Sequence, residues 1–199
     1  MSVQIAIFAR APVPGAAKTR LIPLLGADGA AKLHEKLVLH ALANARAAAV
    51  GPVTLWCAPD SSHPFFAQTG VALADQQGAD LGARMLHAFQ AAKGPLLLIG
   101  ADCPAINAQD LRWCAKALEE GAPSVFLPAE DGGYGLVGAA RPIPQIFNDM
   151  QWGVADVMAQ TRARLTDAGL AWREGRTIWD VDRPYDYARL IRDGLLGPR

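Results

Sequence analysis

Four short segments carry residue types that could do chemistry. The first is FARAPVPGAAKTRL, residues 8–21, where two prolines and Gly15 separate an apolar run from Lys18-Thr19-Arg20. Lysine is a point charge and arginine a planar fork, and both suit phosphate oxygens. Arg10, Gly15, Lys18 and Arg20 therefore make this either an anion cradle or a solvated surface loop. It is not a Walker A loop, which requires glycine where Ala17 stands. The second segment, IGADCP at 99–104, follows an apolar run with Asp102, and Pro104 stiffens the exit by restricting Cys103. A carboxylate there is either a ligand for Mg²⁺ or Mn²⁺, which prefer oxygen donors, or a loop-bonding group. Cys103 is a weak candidate nucleophile, because no histidine lies near it in sequence.

The third segment is PAEDGGYG, 128–135. Gly132 and Gly133 after Glu130-Asp131 permit positive φ and close approach of a ligand, and Tyr134 can stack on or bond to a sugar. A plain acidic hairpin turn fits the same residues. The fourth, WDVDRPYDY at 179–187, brackets Val181 with Asp180 and Asp182. Strand alternation would put both on one side, or one just past the end. Asp182 is the better second metal carboxylate, provided that its strand ends beside that of Asp102. Asp186, in the first turn of a helix opened by Pro184, reads as structural. The four histidines are scattered, with His34 and His87 in helical segments and no metal-ligand spacing. No G-x-S-x-G or G-x-G-x-x-G is present.

Elements must bring these segments together. Apolar runs predict strands over 3–9, 52–58, 95–102, 124–129, 135–140 and 176–182, with a short one near 71–73. Helical spacing predicts helices from Asp28 as N-cap to about 49, over 78–92 with Leu81, Met85 and Phe89 on one face, from the Asn107 cap to about 120, over 153–168, and from Pro184 to about 192. The alternation implies an α/β fold: a three-layer α/β/α sandwich with a mostly parallel central sheet. Ligands in such folds bind beyond the carboxyl ends of the strands, which is where all four segments fall.

The chain has 199 residues, 51% of them hydrophobic and 19% charged, enough to bury the core of a single domain spanning 1–199. Its formal net charge of zero argues against a nucleic-acid binder but leaves room for a phosphorylated ligand. Three widely spaced cysteines suggest neither disulfides nor a zinc knuckle. No leader or bilayer-spanning run is evident, so a soluble cytoplasmic protein is expected.

The segments FARAPVPGAAKTRL, QQGADLGARM, LIGADCPAI, PAEDGGYGLVG, FNDMQWGVADVMAQT and DVDRPYDYARL occur in this order across residues 5–192. In that order they resemble an uncharacterised bacterial glycosyltransferase-like family of the nucleotide-diphospho-sugar transferase superfamily. That superfamily has the GT-A fold, and some members of the family are linked to arsenosugar biosynthesis. The resemblance implies a nucleotide site in which Arg10, Gly15, Lys18 and Arg20 wrap the phosphates. Gln76, Gln77, Gly78 and Gly82 lie against the base, and Asp102 and Asp182 hold the divalent metal. Asp131, Gly132, Gly133, Tyr134 and Trp152 face the sugar or acceptor. Lys18, Arg20 and Asp131 would be the catalytic groups. It implies transfer from a nucleotide-sugar to a small-molecule acceptor. A nucleotidylyltransferase acting on an NTP and a non-catalytic nucleotide-binding module remain alternatives. Two departures fall on the acceptor side: Gly135 replaces an aromatic, and Gly153-Val154 replaces a pair of small hydroxyl residues.

Overall fold

The computed structural model describes residues 2–196. Its seven strands are β1 (Gln4–Arg10), β2 (Val53–Ala58), β3 (Ala72–Asp75), β4 (Leu96–Gly100), β5 (Ser124–Pro128), β6 (Tyr134–Ala139) and β7 (Arg173–Glu174), in one sheet of order β3-β2-β1-β4-β6-β5-β7. Every pairing is parallel except those of β6, which runs antiparallel to β4 and β5. The helices are α1 (Ile22–Ala48), α2 (Pro64–Ala67), α3 (Leu81–Ala91), α4 (Ala108–Glu119), α5 (Val157–Asp167) and α6 (Pro184–Arg192).

The strands read as continuous apolar runs because both faces of the sheet are covered. Alternate residues serve opposite layers. Ile5, Ile7, Leu97 and Ile99 pack with Val38 and Leu42 of α1 and Leu111, Cys114 and Leu118 of α4. Ala6, Phe8, Leu96 and Leu98 pack with Met85 and Phe89 of α3 and Met158 and Leu165 of α5. This is the expected α/β/α sandwich. A third cluster joins Leu21, Leu33 and Leu37 to Trp179, Val181 and Leu190, fastening the start of the chain to its end. No helix among the described residues is long and apolar enough to cross a membrane.

Strand order reverses its sequence direction between β1 and β4, where Phe8 pairs with Gly100 and the amide of Ala101 donates to the Phe8 carbonyl at 3.0 Å. That switch point opens a crevice beyond the carboxyl ends of the strands. Because β6 is antiparallel, its first residue, Tyr134, lies opposite Pro128 at this same edge.

Four expected elements differ. The first helix begins at Ile22 rather than at an Asp28 cap, and is broken at Gly26, whose φ of 72° interrupts the helical backbone. Leu81 is exposed at the start of α3, where the Asp80 side chain caps the amide of Ala83 at 2.8 Å. Helix α5 starts at Val157, because the left-handed Gly153 (φ 79°) belongs to the preceding turn.

Residues 176–182 do not form a ladder strand. The Ile178 amide donates to Pro128, the Ile178 carbonyl accepts from Glu130, and the Val181 amide donates to Asp102. Those bonds go to two different strand ends, so the segment is a strap laid across them. The strand pairing with β5 is instead the two-residue β7.

Candidate functional site

The loop after β1 is pinned at its start by buried Ala11 and Pro12 and further on by buried Ala17 and Leu21. Gly15 turns it with φ 84°, and the amides of Ala16 and Ala17 both donate to Val13 at 3.0 Å. Lys18 then takes a left-handed conformation, φ 48° and ψ 46°, at a cost of about 1 kcal/mol for a residue with a Cβ. This geometry turns the lysine inward. Its side chain is 8% exposed, and Nζ donates to Asp102 Oδ2 at 3.2 Å and to the Val181 carbonyl at 2.6 Å. Arg20, on the following 3-10 turn, pairs with Asp182.

Asp102 stands two residues beyond β4. Gly100 makes room for it, since a Cβ there would lie 2.6 Å from Asp102 Oδ1. Burial pushes the Asp102 carboxyl up, but the charge and hydrogen bond of Lys18 outweigh that, and the group is held below the usual carboxylate range. Its side chain is nonetheless 41% exposed to the crevice.

The crevice has two lobes that share Phe8, Arg10 and Asp102. The smaller, about 360 Å³, is lined by Arg10, Lys18, Arg20, His34, Asp102 and Asp182. The larger, about 480 Å³, runs from Gln76 and Arg84 past Asp102 to Asp131, Gly133, Tyr134, Trp152 and Asp180. Gln76 Nε2 donates to the carbonyls of Trp56 (2.9 Å) and Ala9 (3.4 Å), which fixes the amide and leaves Oε1 as its acceptor. Asp131 Oδ1 accepts from the Gly133 amide at 2.9 Å. The Tyr134 hydroxyl is buried without a partner, and burial raises its pKa. The Tyr134 ring meets Trp152 edge-on, with centroids 6.3 Å apart.

The structure thus gathers Arg10, Lys18, Arg20, Gln76, Asp102, Asp131, Gly133, Tyr134, Trp152 and Asp182 around one crevice. Gly15, Gln77, Gly78, Gly82 and Gly132 line neither lobe. Gly82 packs α3 against a neighbouring segment: a Cβ there would meet the Phe147 carbonyl at 2.3 Å and Trp152 Nε1 at 2.7 Å. A Cβ at Gly78 would meet the Arg84 amide at 2.7 Å, and one at Gly132 would meet the Ala155 carbonyl at 1.8 Å. These are packing and turn positions. Gly135 has a similar cause, because Ile178 Cδ1 and Cys103 Sγ would stand 2.4 and 2.7 Å from a Cβ there. No side chain fits where an aromatic was expected.

In sequence Asp180 ranks behind Asp182, and Arg84 and His34 have no assigned role, yet all three line the crevice. Asp180, rather than Asp182, shares the larger lobe with Asp102 and Asp131. Burial, then the charges of Asp102 and Asp131, push its carboxyl up to about 6. Arg84 follows Leu81 at helical spacing on the cleft side of α3, a periodicity legible in the sequence, and its Nε donates to the Gly78 carbonyl at 3.1 Å. Cys103 also lines the larger lobe, but burial and neighbouring carboxylates push its thiol far up, so it is no thiolate nucleophile. Among the described residues no group of three or more His, Cys, Asp or Glu side chains is placed to hold a metal ion.

Residues 41–154 match the model of a family described as uncharacterised protein conserved in bacteria (DUF2064). The chain belongs to this family. No curated protein matches it. A Desulfovibrio desulfuricans G20 structure, provisionally named a nucleotide-diphospho-sugar transferase, is similar at 33% identity and TM-score 0.88, over 98% of this chain and 88% of that one. A cytidylyltransferase from Leptospira borgpetersenii shares 15% identity at TM-score 0.65, over 96% of this chain and 85% of that one. Glucosyl-3-phosphoglycerate synthase from Mycobacterium tuberculosis, solved with Mn²⁺, UDP and glucosyl-3-phosphoglycerate, shares 11% identity at TM-score 0.55, over 98% of this chain and 77% of that one. The last two likenesses show the fold alone. The family member therefore has the nucleotide-diphospho-sugar transferase fold, shared with proteins named as a cytidylyltransferase and a glucosyl-3-phosphoglycerate synthase.

Proposed function

We propose that this chain is a metal-dependent transferase that uses a nucleotide-diphospho-sugar as donor. The observation that carries the reading is the position of Asp102. It stands at the switch point between a cationic lobe and a lobe walled by carboxylates and aromatic rings. A donor laid across Asp102 would set its diphosphate against Arg10, Lys18 and Arg20. Its sugar would then lie toward Asp131, Gly133, Tyr134 and Trp152. The provisional name of the structure at 33% identity points the same way.

Two carboxylates would hold a divalent cation here together with phosphate oxygens of the donor, the arrangement that Mg²⁺ commonly takes. Asp102 offers an accessible hard oxygen, and Asp180 lies near enough for the two charges to repel. Asp182 would have to leave Arg20 to join them. Mg²⁺ or Mn²⁺ held there would neutralise the leaving diphosphate. In this proposal Lys18 and Arg20 bind the same charge, and Asp131 takes the proton of the acceptor hydroxyl.

A second reading, nucleotidyl transfer, is favoured by the three cations crowded at the end of β1, which suit a triphosphate equally well. A thermal-shift panel separates the two. With Mg²⁺ and ligand at 100 times its Kd, stabilisation is about 2.7 kcal/mol, or roughly 5–10 °C for a chain of this size. Such a shift with a nucleotide-sugar supports the proposal. A shift with NTPs but with no nucleotide-sugar would replace it with the second reading.

A further inference from the structure

His34 lies on α1 and lines the smaller lobe, although the residue is only 6% exposed. Its Nε2 is 2.8 Å from the Arg10 carbonyl. A carbonyl oxygen only accepts, so Nε2 carries the hydrogen and Nδ1 of the neutral ring is a bare lone pair. That Nδ1 is buried and has no partner. Buried polar atoms are ordinarily satisfied, and this orphan belongs to a residue that lines a ligand lobe, so a ligand there is a candidate to complete its contact.

The groups around it fix which contact. Arg10 from β1, Lys18 and Arg20 from the following loop and turn, Asp102 from beyond β4 and Asp182 from the strap all line the same lobe. Burial lowers the His34 pKa, and the Lys18 and Arg10 charges lower it further. The bond to Arg10 and the Asp102 charge oppose them without prevailing. The ring is therefore neutral while the lobe is empty of anions. A diphosphate group entering beside Lys18 brings negative charge, which favours the imidazolium and supplies an acceptor for a second N–H.

We propose that His34 is a binding residue of the phosphate lobe, taking one proton from solvent as a diphosphate enters and donating Nδ1–H to a phosphate oxygen. This inference rests on the diphosphate reading of the smaller lobe. Atoms balance simply: imidazole plus a solvent proton gives imidazolium, and no covalent bond to phosphorus changes. Binding through this residue tightens as pH falls, until the ring is protonated in the free protein as well.

The test is calorimetric titration of the protein with methylenediphosphonate and Mg²⁺, in buffers of different ionisation enthalpy, between pH 6 and 8. The ligand's own titration is common to wild type and His34→Gln, so the difference between them isolates the ring. Glutamine also keeps an N–H for the Arg10 carbonyl. Wild type should take up a substantial fraction of a proton more than the variant near pH 7.5. Its affinity should gain about tenfold over the variant's between pH 8 and 6, one protonated group coupling at most tenfold per pH unit. Equal proton uptake in the two proteins overturns the inference and leaves the diphosphate reading standing. Failure of the probe to bind wild type at any pH overturns both. Should the variant not fold, nitrogen-15 spectra of the wild-type imidazole decide. On adding the probe, the Nδ1 signal of His34 should move from bare to protonated, and an unchanged signal overturns the inference.

Discussion

Asp180 and Asp102, two of the three carboxylates that line the larger lobe, should answer pH with opposite signs. Asp180 rises from 3.8 to about 6 on folding, mainly by burial. Its folded pKa lies above its unfolded one, so its stabilising contribution is full below 3.8 and is lost as pH rises through about 6. Asp180→Asn should therefore raise stability at pH 7.5 by about 1–3 kcal/mol, a gain that vanishes near pH 4 in thermal melts. Asp102 is depressed, so its contribution is present above the ordinary carboxylate range and is lost as pH falls. Asp102→Asn should lower stability at pH 7.5, because it leaves the Lys18 ammonium, 8% exposed, without its counter-charge. Destabilisation by both variants at pH 7.5 would contradict this electrostatic picture. Asp102 and its neighbourhood were legible from one apolar run followed by a carboxylate. The division between Asp180 and Asp182 was not, because alternation along a strand says nothing about a strap. Contact with Arg20, distant in sequence, decides where Asp182 sits.

The turn after β5 and the segment before α5 form a second unit. Gly132 has φ 91°, its carbonyl accepts from the Met158 amide at 2.9 Å, and a Cβ on it would stand 1.8 Å from the Ala155 carbonyl. Gly132→Ala should cost more than about 2 kcal/mol in denaturant unfolding, since backbone must move as well as strain. Gly153→Ala is the contrast. Its φ is 79° but nothing lies within 4 Å of the added carbon, so about 1 kcal/mol is expected from strain alone. Equal costs at the two positions would mean that the turn and the segment before α5 are not locked together. The sequence presents Gly132 as a turn-former that lets a ligand approach, Gly82 as a base-facing residue and Gly153 as the start of a helix. It could not show that Gly132 and Gly82 are spaces filled by a distant backbone. Helix boundaries slipped for a similar reason: Gly26 breaks α1 and Asp80 caps α3 through local geometry that apolar periodicity does not encode.

For the molecule as a whole, the alternation of strands and helices was enough to predict the three layers and the edge of the sheet at which the candidate crevice opens. It was not enough to predict that β6 reverses direction. That reversal brings Tyr134 to the crevice, where the strap joins the ends of β4 and β5. The two lobes meet at Asp102, so nucleotide and metal should bind as a unit there. The direct measurement is calorimetric titration of wild type and Asp102→Asn with ADP, CDP, GDP and UDP, with Mn²⁺ and with EDTA. At least one diphosphate should bind wild type in Mn²⁺ and weaken at least tenfold, about 1.4 kcal/mol, in EDTA or on Asp102→Asn. Affinities unchanged by either treatment, or no binding of any of the four, would contradict the account.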